Sequence, residues 1–142
     1  KEDLPFILSD VLKSASQDQY VKILSFMVSV AYGLDQMSVV KLEINGEVYE
    51  QNASGSGQFD AFMRALKIIY KEKLGRRFPH LSNYTVQIPP GGRTDALVQT
   101  SITWEWDDRI YRTRGLDADQ TEAAIKATIK MLNLMETELR KQ

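Results

Sequence analysis

The chain has 142 residues, 43% hydrophobic and 26% charged, with eight Gly and four Pro, an ordinary composition for one folded domain with a real core. Lys plus Arg is 18 and Asp plus Glu is 19, so a net charge of -1 leaves no global field to hold nucleic acid or an anionic membrane. The absence of Cys and the single His, His80, exclude disulfides, thiolate catalysis, zinc ribbons and imidazole-based metal sites, and suit a cytoplasmic protein.

No apolar run approaches the roughly 18 residues of a membrane span, and no secretory signal is visible. The chain opens at Lys1 without Met, as an excerpt of a longer protein does. Leu4, Ile7, Leu8, Val11 and Leu12 recur at helical spacing, so residues 4–13 are expected to form a short helix with Asp3 as its cap. The polar stretch 14–19 breaks that pattern. Residues 1–19 therefore read as the end of a linker, and 20–142 as the domain proper.

From residue 21 the period changes to two. Across residues 21–32, Leu24, Phe26, Val28, Val30 and Tyr32 are expected on a heavy strand face. Ile23, Ser25, Met27, Ser29 and Ala31 are expected on a lighter one. A second strand covers 37–44 through Val40, Leu42 and Ile44. Asn45-Gly46 is a two-residue hairpin signal, and 48–53 return as a third strand. Gly55-Ser56-Gly57 opens a helix over about 58–74, with Ala61, Ala65, Leu66 and Ile69 inward, widened by Phe62 and Ile68, and Gly75 as its stop.

The same order then repeats. Tyr84, Val86 and Ile88 alternate, Pro89-Pro90-Gly91-Gly92 turns, and Val98, Thr100, Ile102, Trp104 and Trp106 alternate. Asp107-Asp108 turns, 110–114 form a strand, and a helix runs from about 119 to 141. With Tyr49 set against Tyr111 and no gaps, Gln58 meets Gln120, Asp60 meets Glu122, Ala61 meets Ala123, Arg64 meets Lys126 and Ala65 meets Ala127. A slightly longer hairpin at Trp106-Asp107-Asp108 is expected to absorb the offset upstream. The fold class is α+β: two strand–strand–strand–helix repeats, about 20–78 and 79–142, forming a sheet–helix sandwich. A lighter strand face at Ile23, Met27 and Ala31 needs a cover, which points to a dimer.

Single motifs carry little. Gly55-Ser56-Gly57 at a helix entrance could suit an anion, but a bare Gly-x-Gly reads first as a turn that needs positive φ. Nucleotide-binding glycine patterns are absent. Asp119 with Glu122 is a capping arrangement, and Asp60 is a first-turn acid opposing the helix dipole. His80 has no partner for a catalytic constellation.

Taken together, three segments are more specific: residues 55–61 (Gly-Ser-Gly-Gln-Phe-Asp-Ala), Thr94-Asp95-Ala96, and residues 114–124 (Arg-Gly-Leu-Asp-Ala-Asp-Gln-Thr-Glu-Ala-Ala). In this order, closing on Leu132-Asn133, they resemble the C-terminal regulatory domain of the 2-isopropylmalate synthase and citramalate synthase family. The resemblance covers about residues 21–134, and the helix at 4–13 looks like the end of that family's linker subdomain.

The resemblance implies a catalytically silent piece of an acetyl-CoA-dependent acyltransferase. The chemistry and the divalent metal belong to a TIM barrel of about 250 residues, too long for this chain. No cofactor is implied for the piece itself. The implied partners are a second copy, the barrel of the same chain, and leucine or isoleucine as feedback effector at the dimer interface. Matched to the family's effector site, Phe59, Tyr84 and Val98 set its shape, and Asp60 and Gln120 orient polar groups. Leu81, Ile88, Ala96 and Ala118 complete the set. A plain dimerisation module without effector response stays open. An RNA-binding module is disfavoured by the neutral charge and the lack of an aromatic–basic motif.

Overall fold

In the computed structural model, which describes residues 19–29, 36–88 and 97–140, the chain divides into two compact units that meet in sequence at Phe78 and Pro79. The expected helix at 4–13 and the segment Thr94-Asp95-Ala96 lie outside the described residues. No described helix is long and apolar enough to cross a membrane.

In the first unit, alternating apolar residues build three antiparallel strands: β1 (Val21–Ser29), β2 (Gln36–Ile44) and β3 (Glu47–Gly55), in that order in the sheet. Val40, Leu42 and Ile44 are buried, as their period of two requires. Asn45 and Gly46, at φ 52 and 88, make the turn whose twist matches a two-residue hairpin.

The expected faces of β1 are corrected by a bulge. The register jumps between Ile23, opposite Leu42, and Ser25, opposite Lys41, so Leu24 is an extra residue. An inserted residue switches the alternation. Val21, Ile23, Phe26 and Val28 therefore stand opposite the buried Ile44, Leu42, Val40 and Ser38, while Leu24 is 47% exposed. Ile23 leaves the lighter face, and Leu24 leaves the heavy one.

Helix α1 (Gln58–Ile68) packs on β2 and β3 and continues as a π-helical turn, Ile69–Lys73, rather than as one α-helix to Leu74. Leu74 N–H donates to the Ile69 carbonyl five residues back (3.1 Å). Adding a residue to the turn lets the adjacent Ile69 and Tyr70 both face inward, and both are fully buried. Met63 joins the buried face, whereas Ile68 is only half-buried. Arg76 N–H then donates to the Tyr70 carbonyl six residues back (2.9 Å) around Gly75 at φ 66, which ends the helix.

The second unit has β4 (His80–Gln87), β5 (Val98–Trp106), β6 (Arg109–Asp117) and α2 (Gln120–Arg140), with the helix on β5 and β6. The bulge recurs: Leu81 faces Trp104 and Asn83 faces Thr103, leaving Ser82 extra. The hairpin does not absorb the difference between the repeats. Ile44 pairs with Glu47 and Trp106 with Arg109 around turns of equal length, and Asp107 and Asp108 take φ 55 and 61. The difference lies in the first connection, residues 30–35 against 88–97.

A polar relay ties α2 to its sheet. The buried Trp104 Nε1–H donates to Thr113 Oγ1 (3.0 Å), which donates to the Ala127 carbonyl (2.7 Å). In the first unit Ser38 Oγ donates to the Ala61 carbonyl (2.9 Å).

Candidate functional site

The Gly-x-Gly entrance is not a positive-φ turn. Gly57, at φ -155, is extended backbone with open space where a Cβ would stand. Gly55 is the constrained one: its Cβ would sit 2.6 Å from Ala61 N and 2.7 Å from Asp60 Oδ2. Helix α1 thus starts against bare backbone of β3. Asp60 Oδ2 accepts from Ser56 N–H (3.0 Å) and from Ser56 Oγ (3.4 Å), and pairs with Arg64 Nε (3.2 Å). It holds the entrance in shape while its side chain remains 41% exposed. Phe59 is half-buried and stacked on Phe62 at 6.1 Å, and Phe62 meets Phe26 edge-on at 5.2 Å.

In the second unit, pairing carries several candidates to one sheet end. Val98 opens β5 opposite Asp117, so it adjoins Ala118 and Gln120, both exposed at the start of α2. Ile88 follows the pair Gln87–Gln99 and approaches the same end, but it lies beyond β4 and is 68% exposed, not on a strand face. Tyr84 is half-buried opposite Ile102. Leu81 faces Trp104, six residues along β5 from Val98, which is roughly 20 Å of strand. The pairing therefore groups Ile88, Val98, Ala118 and Gln120, with Tyr84 midway and Leu81 apart. Ala96 lies outside the described residues.

The helix start here is tightly organised. Asp119 Oδ1 accepts from Thr121 N–H (2.9 Å), as an N-cap should, and Asp117 Oδ1 accepts from Asp119 N–H (2.9 Å). Lys126 Nζ binds Asp117 Oδ2 (3.0 Å) and donates to the Leu116 carbonyl (3.1 Å). The Asp119 backbone donor, then Lys126, hold the Asp117 carboxyl below its usual range.

Two polar atoms at these sheet ends escaped sequence reasoning. Gln36 Oε1 and Thr100 Oγ1 are buried without a hydrogen-bond partner. Gln36 pairs with Gly55, beside the Asp60 entrance. Thr100, fully buried, pairs with Gly115 and stands two residues from Val98. An unmet buried polar group costs about 1–3 kcal/mol. Only the sheet register reveals them, because Gln and Thr in a strand carry no signal of their own. Among the described residues no group of three or more His, Asp or Glu is placed to hold a metal ion.

Residues 1–136 match the description of the LeuA allosteric (dimerisation) domain. The chain belongs to that family. It resembles 2-isopropylmalate synthase of Aquifex aeolicus, 30% identical over 133 residues, which cover 93% of this chain and 24% of the relative. The same enzyme of Neisseria meningitidis is 28% identical over 135 residues, covering 95% and 25%. A protein named as an (R)-citramalate synthase, of Archaeoglobus fulgidus, is 29% identical over 133 residues, covering 94% and 26%. The chain thus spans about a quarter of the length of the curated relatives it matches. It is the C-terminal regulatory domain of such synthases, and the catalytic part lies outside it. The family's description also carries self-association.

Proposed function

We propose that this LeuA domain binds a branched-chain amino acid, leucine in the first place, and relays its presence as feedback inhibition to a synthase of leucine biosynthesis. The observation that carries the reading is the pair of orphaned polar atoms, Gln36 Oε1 and Thr100 Oγ1, at sheet ends that also bear Phe59 and Asp60 or Val98 and Ala118. An amino-acid ligand needs acceptors for its ammonium, donors for its carboxylate and an apolar cup. In the first unit Gln36 Oε1 and the Asp60 carboxylate supply acceptors and Phe59 apolar surface. In the second unit, taken by itself, the Thr100 hydroxyl supplies a donor and Tyr84 and Val98 supply apolar surface.

Calorimetric titration with leucine, isoleucine and valine tests this. Leucine should bind in preference to valine, whose missing methylene is worth roughly 1–3 kcal/mol in a fitted pocket. Thr100→Val and Asp60→Ala should weaken binding at unchanged folded content. Equal heats for all three, or none, would leave a dimerisation module without effector response. The citramalate synthase relative favours one second reading, isoleucine as effector of a pyruvate-using enzyme. The order of the two affinities, and assay of the full-length synthase with pyruvate and with 2-oxoisovalerate, separates the two.

A further inference from the structure

The chain has four asparagines, Asn45, Asn52, Asn83 and Asn133, and of these Asn45 alone is followed by glycine. The Asn side-chain amide is an electrophile that the backbone nitrogen of the next residue reaches by closing a five-membered ring. Glycine at that next position leaves the nitrogen unshielded, because it has no Cβ. Asn52 and Asn83 lie within strands and are followed by Ala53 and Tyr84. Asn133 lies in α2, where its Nδ2 donates to the Ile129 carbonyl (3.0 Å).

The fold places the Asn-Gly pair in the open. Asn45 and Gly46 are both exposed at the turn between β2 and β3, and nothing stands within 4 Å of where a Gly46 Cβ would be. Ile44 pairs with Glu47 around the turn, and Asn45 N–H donates to the Tyr20 carbonyl (2.9 Å). Neither interaction takes up the Gly46 N–H, which is the nucleophile. The second unit supplies an internal control. Its turn holds Asp107 and Asp108 at φ 55 and 61, where the first holds Asn45 and Gly46 at 52 and 88. There a carboxylate replaces the amide and a side chain shields the following nitrogen, so the same turn lacks the reactive pair.

We infer that Asn45 is a site of spontaneous covalent modification in the folded chain. Hydroxide takes the Gly46 N–H proton and the nitrogen attacks Asn45 Cγ. The bond from Cγ to the side-chain nitrogen breaks, and ammonia leaves with a proton from water. One water then opens the cyclic imide at either carbonyl, giving aspartate or isoaspartate. Isoaspartate carries an extra methylene carbon in the main chain. A two-residue turn has no slack for it, so the modification breaks the Tyr20 bond and the Ile44–Glu47 pair at this sheet end. The opposite end of the hairpin, where Gln36 pairs with Gly55, is eight residues along β2, roughly 27 Å of strand away. The entrance at Asp60 therefore keeps its shape, and the inference does not rest on the ligand reading above.

Incubation of the chain for days at mildly alkaline pH, followed by peptide mapping that separates asparaginyl, aspartyl and isoaspartyl forms, tests it. The expected result is conversion at Asn45 with isoaspartate among the products. Asn52, Asn83 and Asn133 should convert many-fold more slowly, and Asp107 should stay aspartyl. The melting temperature should fall in step with the isoaspartate content. Asn45→Gly keeps a residue suited to positive φ and has no amide, so its melting temperature should hold through the same incubation. Similar rates at all four asparagines, or conversion at Asn45 only after denaturation in urea, overturn the inference. Conversion without a fall in melting temperature overturns the damage assigned to the turn and leaves the site of modification standing.

Discussion

The two repeats share a bulge position, a hairpin geometry and a helix placement, yet they join helix to sheet by different means. In the first, the contact at the helix start is made by Gly55, with Ser38 bonding the Ala61 carbonyl. In the second, Gly115 lies one turn deeper along the helix, where its missing Cβ would meet the Ala123 carbonyl and Ala127 N. There Thr113 bonds the Ala127 carbonyl and Trp104 replaces Leu42 beneath it. Duplicated topology therefore tolerates exchanged chemistry, provided that each helix finds bare backbone to approach and a hydroxyl to meet a carbonyl.

The sharpest way to break the comparison is at Trp104. Trp104→Ala should cost about 3–5 kcal/mol in chemical denaturation, since it removes the largest fully buried side chain. Trp104→Phe fills most of the space and loses the indole donor, so about 1 kcal/mol is expected. Comparable losses in the two variants would show that the hydrogen bond, not the volume, matters.

Next come the glycines. Gly115→Ala and Gly55→Ala each drive a Cβ into helix backbone, and should cost about 1–3 kcal/mol or more through overpacking. Gly57→Ala should stay within about 0.5 kcal/mol, because its φ of -155 suits any residue and nothing stands within 4 Å of the new Cβ. Thermal melts of the three variants side by side check the order. A destabilising Gly57→Ala would contradict it.

Smaller effects distinguish the two helix starts. Asp119→Ala removes a side-chain cap and should cost about 1 kcal/mol. Asp60→Ala removes a first-turn acid and its bond to Ser56 N–H, and about 0.3–1 kcal/mol is expected. If Asp60 also meets an effector, its loss of effector affinity will exceed what stability explains, and melting and titration of the same variant show that.

The smallest effect is electrostatic. Asp117 has its folded pKa held below the ordinary 3.8, so its contribution is present above that value and fades as pH falls through the folded pKa. Asp117→Asn should therefore destabilise the chain at neutral pH, and the gap to the unmodified protein should close in acid. Denaturation midpoints at pH 7 and pH 3 test the sign, and a gap that widens in acid would refute it.

Much of the site was legible as residue identity but not as grouping. Asp119 as a cap follows from motif, whereas Val98 beside Ala118 needs the pairing of β5 with β6. Ile88 was placed on a strand face because alternation assumes that the strand continues, and Leu81, taken from the resemblance, stands away from Val98 along the sheet. One bulge residue at Ser82 and the strand's end at Gln87 change where each of them stands. Gln36 and Thr100 were invisible for a different reason: being without a partner is a property of the surroundings, not of the residue.

The amino-acid order by itself determined the two strand–strand–strand–helix units, the Asn45-Gly46 turn, the stop at Gly75 and the family, because period, turn chemistry and motif are local and act over a few residues. Tertiary structure alone decided which side of β1 faces the helix, where the repeats differ in length, and why Gly55 rather than Gly57 is constrained. Each of these depends on which atoms approach from distant parts of the chain, and a bulge, a close backbone contact or an unmet hydroxyl exists only once they have arrived.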